Sequence, residues 1–147
     1  MALVRQLIAG DFDDAVALYR ILMGEGALLE GKAGRTRFEK ILDHEGSAVW
    51  GAEVDGHMRS IATLHVLPNM TWGGRPYALI ENVVTDEDWQ GRGLGRAVMQ
   101  AAIDDAWDQD AYKIMLMTGK TAQARGFYEK LGFDGGEKHA MTLPGSL

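Results

Sequence analysis

Apolar residues change their spacing several times along this chain, and each change marks an element. Leu3 to Ile8 reads as a short opening strand. Phe12, Ala15, Val16, Tyr19 and Leu22 or Met23 then recur at helical spacing. Asp11 is the expected N-cap, with Asp13 and Asp14 in the first turn, where acidic groups suit the helix dipole. The segment from Gly24 to Gly34 holds four glycines and reads as a mobile loop. Thr36 with Glu39 forms a capping-box pair that predicts a second helix, with Phe38, Ile41 and Leu42 inward.

Ser47 to Val54 and His57 to Leu67 read as strands joined at Asp55-Gly56, a two-residue hairpin signal. Tyr77 to Thr85 is a third, mostly apolar strand, followed by a glycine-rich turn and a helix from about Gly93 to Trp107. Ala111 to Thr118 predicts a buried strand, Thr121 to Leu131 a helix closed by Gly132, and Lys138 to Leu143 a last strand. The order β-α-α-β-β-β-α-β-α-β implies an α/β chain, a mixed sheet with helices on its faces. Tyr77 to Thr118 should form a right-handed parallel crossover, with ligands at the carboxyl ends of the strands.

Composition narrows the partners. The 147 residues suit one domain spanning the chain, with 46% apolar and 24% charged residues, and the net charge is −6. Nucleic acid needs clustered cations, so an acidic chain is not expected to bind it. There are no cysteines, which removes disulfides, thiol nucleophiles and thiolate metal sites. No signal peptide or membrane segment is legible, and a cytoplasmic location is expected.

The chemistry begins at Gln90-Gly91-Arg92-Gly93-Leu94-Gly95. Three alternating glycines after a strand and at the start of a helix let an anion reach unpaired backbone N–H groups. Alone, the same glycines equally suit a tight strand-to-helix connection. The dinucleotide fingerprint G-x-G-x-x-G is excluded, because Arg96 stands at its last position. A P-loop ending at Gly119-Lys120-Thr121 would need glycine at the position of Ile114.

Val83-Val84-Thr85-Asp86-Glu87-Asp88-Trp89-Gln90-Gly91-Arg92-Gly93-Leu94-Gly95 resembles motif A of the Gcn5-related N-acetyltransferase (GNAT) superfamily. Downstream, Ala124-Arg125-Gly126-Phe127-Tyr128-Glu129-Lys130-Leu131-Gly132-Phe133 is similar to its motif B, at the usual separation and in the usual order. The resemblance implies a mostly antiparallel mixed sheet with a splayed parallel strand pair and helices on both faces. It implies acetyl-CoA as co-substrate, without a metal. Backbone groups of Val83, Val84 and Thr85 would pair with the acetyl-pantetheine portion, and Gln90, Gly91, Arg92, Gly93, Leu94, Gly95 and Arg96 would hold the pyrophosphate. Glu87 replaces a frequent proline, and Gly119-Lys120 a frequent asparagine.

On that resemblance Tyr128 matches the tyrosine that protonates the leaving thiolate, and an N–H near Val83 or Val84 would polarise the carbonyl. Glu81 is the general-base candidate. It lies within the apolar run Ala78 to Val84, where a buried carboxylate needs a partner, so a structural ion pair or hydrogen bond to a neighbouring strand is the equal alternative. Asn82 faces the opposite way and is the other candidate toward the acceptor. His65 reads as a base, a ligand or a hydrogen-bonded structural residue, and Met115 and Met117 as core. Glu25 and Glu30 could attract an amine, and Lys32, Arg35 and Arg37 an acid group; all five are equally solvated loop charges. The expected activity is acetylation of a small-molecule primary amine by direct attack, with no membrane partner and a homodimer as assembly. The alternatives are a protein lysine or N-terminal acetyltransferase and a non-catalytic CoA-binding module.

Overall fold

Alternation in the sequence becomes a five-stranded sheet in the computed structural model, which describes residues 1–24 and 26–146. The chain forms two compact units, Met1–Leu116 and Met117–Leu147. In the first, β1 (Leu3–Gln6) is followed by α1 (Phe12–Met23), α2 (Gly31–Asp43), β2 (Ser47–Val54), β3 (His57–Leu67), β4 (Tyr77–Thr85), α3 (Leu94–Asp108) and β5 (Ile114–Met115). The strands lie in chain order, antiparallel from β1 to β4, with β4 and β5 parallel. The second unit holds α4 (Ala122–Lys130).

The hairpin between β2 and β3 forms where expected. Asp55 and Gly56 take φ of +52° and +79°, the pair of positive values a two-residue turn needs to match strand twist. Cross-strand partners share a face, so register sorts the side chains. Val49, Ile61 and Val84 lie with Phe12, Ala15, Leu18 and Phe38, under α1 and α2. Ala62, Leu64 and Ile80 point to the other face, where α3 packs and buries Leu94, Val98, Met99, Ala102, Ile103 and Ala106. Trp50 Nε1 on that side donates to Asp105 of α3 at 2.9 Å.

Gly51 sits where β2 meets its neighbours most closely. A methyl group there would lie 2.6 Å from Leu7 Cδ1, 2.7 Å from Met58 Sδ and 3.2 Å from the Ser60 carbonyl oxygen. Gly51→Ala is expected to destabilise the fold by about 1–3 kcal/mol through overpacking. A thermal melt in which the variant keeps the parent Tm would show that these contacts yield freely.

Several local expectations are corrected. Helix α2 begins at Gly31 after Glu30, not at a Thr36–Glu39 capping box, and takes residues 31–34 out of the glycine-rich loop. Packing decides this: Gly34 is buried where a Cβ would meet the Leu29 carbonyl at 2.6 Å and the Phe12 ring at 3.1 Å. Asp11 is the N-cap residue of α1, as expected, but its side chain makes no capping hydrogen bond. Its carboxylate instead takes Arg5 Nη1 and Nη2 at 2.8 and 2.9 Å and the Ile8 amide at 2.8 Å. The Arg5 bonds hold the Asp11 carboxyl below its ordinary range.

The strand expected over Ala111 to Thr118 is reduced to Ile114–Met115, because only Ala78 and Leu79 of β4 pair with it. Met117 is 58% exposed and is not core. In the second unit, the Thr121 hydroxyl accepts the Ala124 amide at 3.2 Å and starts α4. Gly132 ends it at φ +100°, with Gly132 N–H donating to Glu129 O and Phe133 N–H to Tyr128 O. Residues 138–143 form no strand: Met141 and Leu143 are 91% and 98% exposed, so alternation there has no face to bury.

Candidate active site

Strand β4 is irregular at its centre. Ser60 pairs with Thr85 and Ile61 with Val84, yet Thr63 pairs with Glu81, leaving Asn82 and Val83 opposite the single residue Ala62. This is a β-bulge, and Asn82 takes it up with φ +53°, a left-handed conformation that asparagine tolerates better than most residues. On the other side, β5 accompanies β4 only through Leu79. Among the described residues, the β4 edge from residue 80 to Thr85 therefore lacks a strand partner, including the backbone of Val83, Val84 and Thr85. Such an edge can accept an extended ligand as an added strand.

The edge leads into the glycine turn. Gly91 and Gly93 take φ of +74° and +82°, and a Cβ at either would point into open space. Gly93 is the N-cap of α3, so no side chain occupies the free amides of Leu94, Gly95 and Arg96. The first turn carries no acidic residue. An uncapped N-terminus of a 15-residue helix, with exposed Arg92 and Arg96 beside it, favours an anion. Gln90 faces back instead: its Nε2 donates to the Thr85 carbonyl at 3.4 Å.

Glu81 departs from expectation. It is exposed rather than buried, and it has no hydrogen-bond or ion-pair partner among the described residues, which removes the structural ion pair. Asn82 beside it is also exposed. In the second unit, Tyr128 is half-buried on α4, with the Phe127 ring at 5.0 Å and the Phe133 ring at 6.1 Å, both edge-on. Burial pushes its phenol above the ordinary value, so Tyr128 keeps its proton at neutral pH.

An open strand edge running into an uncapped, glycine-fronted helix has counterparts in known proteins. The acetyltransferase (GNAT) family profile matches residues 15–133. The chain belongs to this acetyltransferase family. A glucosamine 6-phosphate N-acetyltransferase of Trypanosoma brucei brucei is 35% identical over 83 residues, a stretch spanning 56% of this chain and 55% of that one. The solved structure of an Agrobacterium tumefaciens str. C58 protein assigned as an acetyltransferase is 35% identical, with TM-score 0.90, over 97% of this chain and 99% of the other. An acetyltransferase structure from Trypanosoma brucei is 26% identical with TM-score 0.84 over the whole of both chains.

Beside the glycine turn of this GNAT acetyltransferase lie contacts that the sequence did not single out. Two guanidinium groups lie over the Trp89 ring, Arg59 at 5.0 Å and Arg92 at 4.4 Å from its centroid. Arg59 donates to Asp86 at 3.1 Å, and Arg92 to the Asp88 carbonyl at 3.2 Å. The stack fixes the path of the turn before Gly93. A lone cation in the largely buried run of β3 was the only hint that Arg59 has a partner there.

The charges proposed for the acceptor separate into two sets. Glu30 is paired with Arg20, and Arg35 with Asp13 at 3.4 Å while lying 4.6 Å over the Phe12 ring. Lys32 and Arg37, with Leu29, Ala33, Thr36 and Lys40, line an open groove of about 680 Å³ on α2. Glu25 lies outside the described residues. Among the described residues no cluster of three or more His, Asp or Glu could hold a metal, and no helix is long and apolar enough to cross a membrane.

Proposed function

We propose that the chain transfers the acetyl group of acetyl-CoA to a primary amine of a small molecule. The observation that carries this is the β4 edge left open past Leu79, beside the Asn82–Val83 bulge, and continued by the uncapped N-terminus of α3. The residues present fit this co-substrate: an open edge for an amide-bearing arm, and helix amides behind Gly93 for a pyrophosphate. Acetyl-CoA supplies an activated thioester. The chain supplies backbone N–H groups near Val83 and Val84 for the developing charge on the carbonyl oxygen, and, on the family's motif, the Tyr128 phenol for the leaving sulfur. The name of the 35% identical relative points to a phosphorylated amino sugar as the first acceptor class to test. The cationic groove of Lys32, Arg37 and Lys40 suits a phosphate.

The decisive experiment combines calorimetry with acetyl-CoA and a screen of amines, glucosamine 6-phosphate first, read by release of free thiol. Acetyl-CoA should bind and raise the Tm. Neither binding nor thiol release would sink the reading. Glu81, exposed and unpaired on the α1 side of β4, is assigned as the base that takes the amine proton, directly or through water. Glu81→Gln is expected to lower kcat/KM on the order of a hundredfold. An unaltered pH–rate profile in this variant would remove Glu81 from the role.

A further inference from the structure

At the end of the sheet where β2 begins and β3 ends, three polar side chains form a chain with no part in the mechanism so far. Ser47 pairs with His65, and both point to the face under α1 and α2. Ser47 Oγ lies 2.7 Å from His65 Nδ1 and 3.0 Å from Nδ1 of His44, just past α2. His65 is half-buried and His44 exposed, so the chain runs from the interior to solvent. A hydroxyl has one proton to give, so it donates to one ring and accepts from the other. The two imidazoles therefore hold complementary tautomers. A proton entering one ring and leaving from the other only reverses that set.

The inner end of this chain looks toward Glu81. Glu81 pairs with Thr63 and His65 with Leu79, which makes carboxylate and imidazole diagonal neighbours on one face. Such neighbours stand about 7–8 Å apart at the backbone, within reach of long side chains or one bridging water. His65 Nε2 has no partner among the described residues. We propose that His65, Ser47 and His44 are positioning residues that carry away the proton the acceptor amine loses, receiving it from Glu81. The proposal rests on the reading of Glu81 as the base.

The amine nitrogen bonds to the acetyl carbon as the carbon–sulfur bond breaks, and the amine proton passes to Glu81. From there it moves to His65 Nε2. The Nδ1 proton of His65 shifts to Ser47 Oγ, the Ser47 proton to His44 Nδ1, and His44 releases its Nε2 proton to water. The leaving sulfur takes the Tyr128 proton and Tyr128 regains one from water, which balances the proton His44 releases, so no group keeps an extra charge.

The surroundings suit this task. Burial lowers the proton affinity of His65 below its ordinary value, His44 lowers it further, and Glu81 partly restores it. Tyr19 of α1 packs beside Thr63 on the same face, and Asp43 and Glu45 flank His44 in sequence. His65 is thus neutral at neutral pH and able to accept. Transfer should fail as pH falls through the His65 titration, and Glu81→Gln, by removing the carboxylate that raises it, moves that point to lower pH.

The test uses the full chain and two readouts. Ring-nitrogen NMR, with no acceptor present, should show Ser47→Ala changing the tautomers of His44 and His65 together while His57 and His139 stay unmoved. With glucosamine 6-phosphate and acetyl-CoA, Ser47→Ala and His65→Asn should lower kcat on the order of tenfold with KM near the parent value, and added imidazole should restore the rate. A structural pin would change Tm without imidazole rescue. Parental kcat in Ser47→Ala, or a loss that imidazole does not touch, overturns the proposal. If Glu81→Gln keeps the parent profile, the base assignment falls and the proposal falls with it, whereas a changed profile without imidazole rescue overturns the proposal alone. If this acceptor is not turned over, independent tautomers in the NMR readout still overturn it.

Discussion

Replacing Gly93 by valine is expected to weaken acetyl-CoA binding on the order of a hundredfold, about 2.7 kcal/mol, while the unliganded fold survives. Gly93 holds φ +82° as the N-cap of α3, and its missing Cβ faces open space. Nothing in the protein would collide with the new side chain, so the effect divides into two parts. The left-handed conformation costs a side-chain-bearing residue about 1–2 kcal/mol, and a β-branched one is the least tolerant. The chain relieves that strain by rotating the turn, which moves the Leu94, Gly95 and Arg96 amides away from a common anion. Hydrogen bonds to charged groups are worth about 1.5–3 kcal/mol each, so losing one suffices. Asparagine, which tolerates this conformation, should keep binding within about tenfold. Calorimetry on both variants decides, and a valine variant that binds as well as the parent would exclude the turn from the cofactor site.

The second large effect is expected at Tyr128, where phenylalanine should lower kcat about 10²–10³-fold with acetyl-CoA affinity unchanged. The ring contacts with Phe127 and Phe133, at 5.0 and 6.1 Å, survive the change, so α4 should keep its shape. Only the proton is lost. Because burial raises the Tyr128 phenol, the parent should retain activity until pH passes the ordinary tyrosine value of about 10, and the variant should lack that alkaline limb. Stopped-flow thiol release separates the chemical step from product release. Parental rates in the variant would remove Tyr128 as the acid.

Where an element was legible, one short stretch carried a conformational requirement that nothing distant could alter. Asp55-Gly56 needs two positive φ values and takes them. Gly132 closes α4 in the left-handed region, as its place after Leu131 predicts. The spacing of Gly91, Gly93 and Gly95 set the start of α3 and led to the GNAT family, whose profile covers residues 15–133.

Where the reading failed, the deciding contact came from far along the chain. Thr36 and Glu39 form a sound capping box locally, but Gly34 packing on Phe12 and the Leu29 carbonyl carries α2 back to Gly31. Ala111 to Thr118 has the composition of a strand, yet pairs only at Ile114–Met115, where β4 still offers a partner. Glu81 sits in an apolar run and was expected to be buried. Its side is set by pairing with Thr63, and it emerges exposed.

The sequence by itself determined the family, the order of the elements through α4, and the glycine turn, because period, turn chemistry and motif spacing are local properties. Only the tertiary structure decided that the turn fronts an uncapped helix behind a strand edge left open past Leu79, beside a bulge at Asn82. It alone brought Arg59 onto Trp89, and joined Ser47 to His65 across 18 residues of chain, with His44 beside them. Strand register sets Ser47 opposite His65, and register is a property of the packed sheet rather than of any one segment.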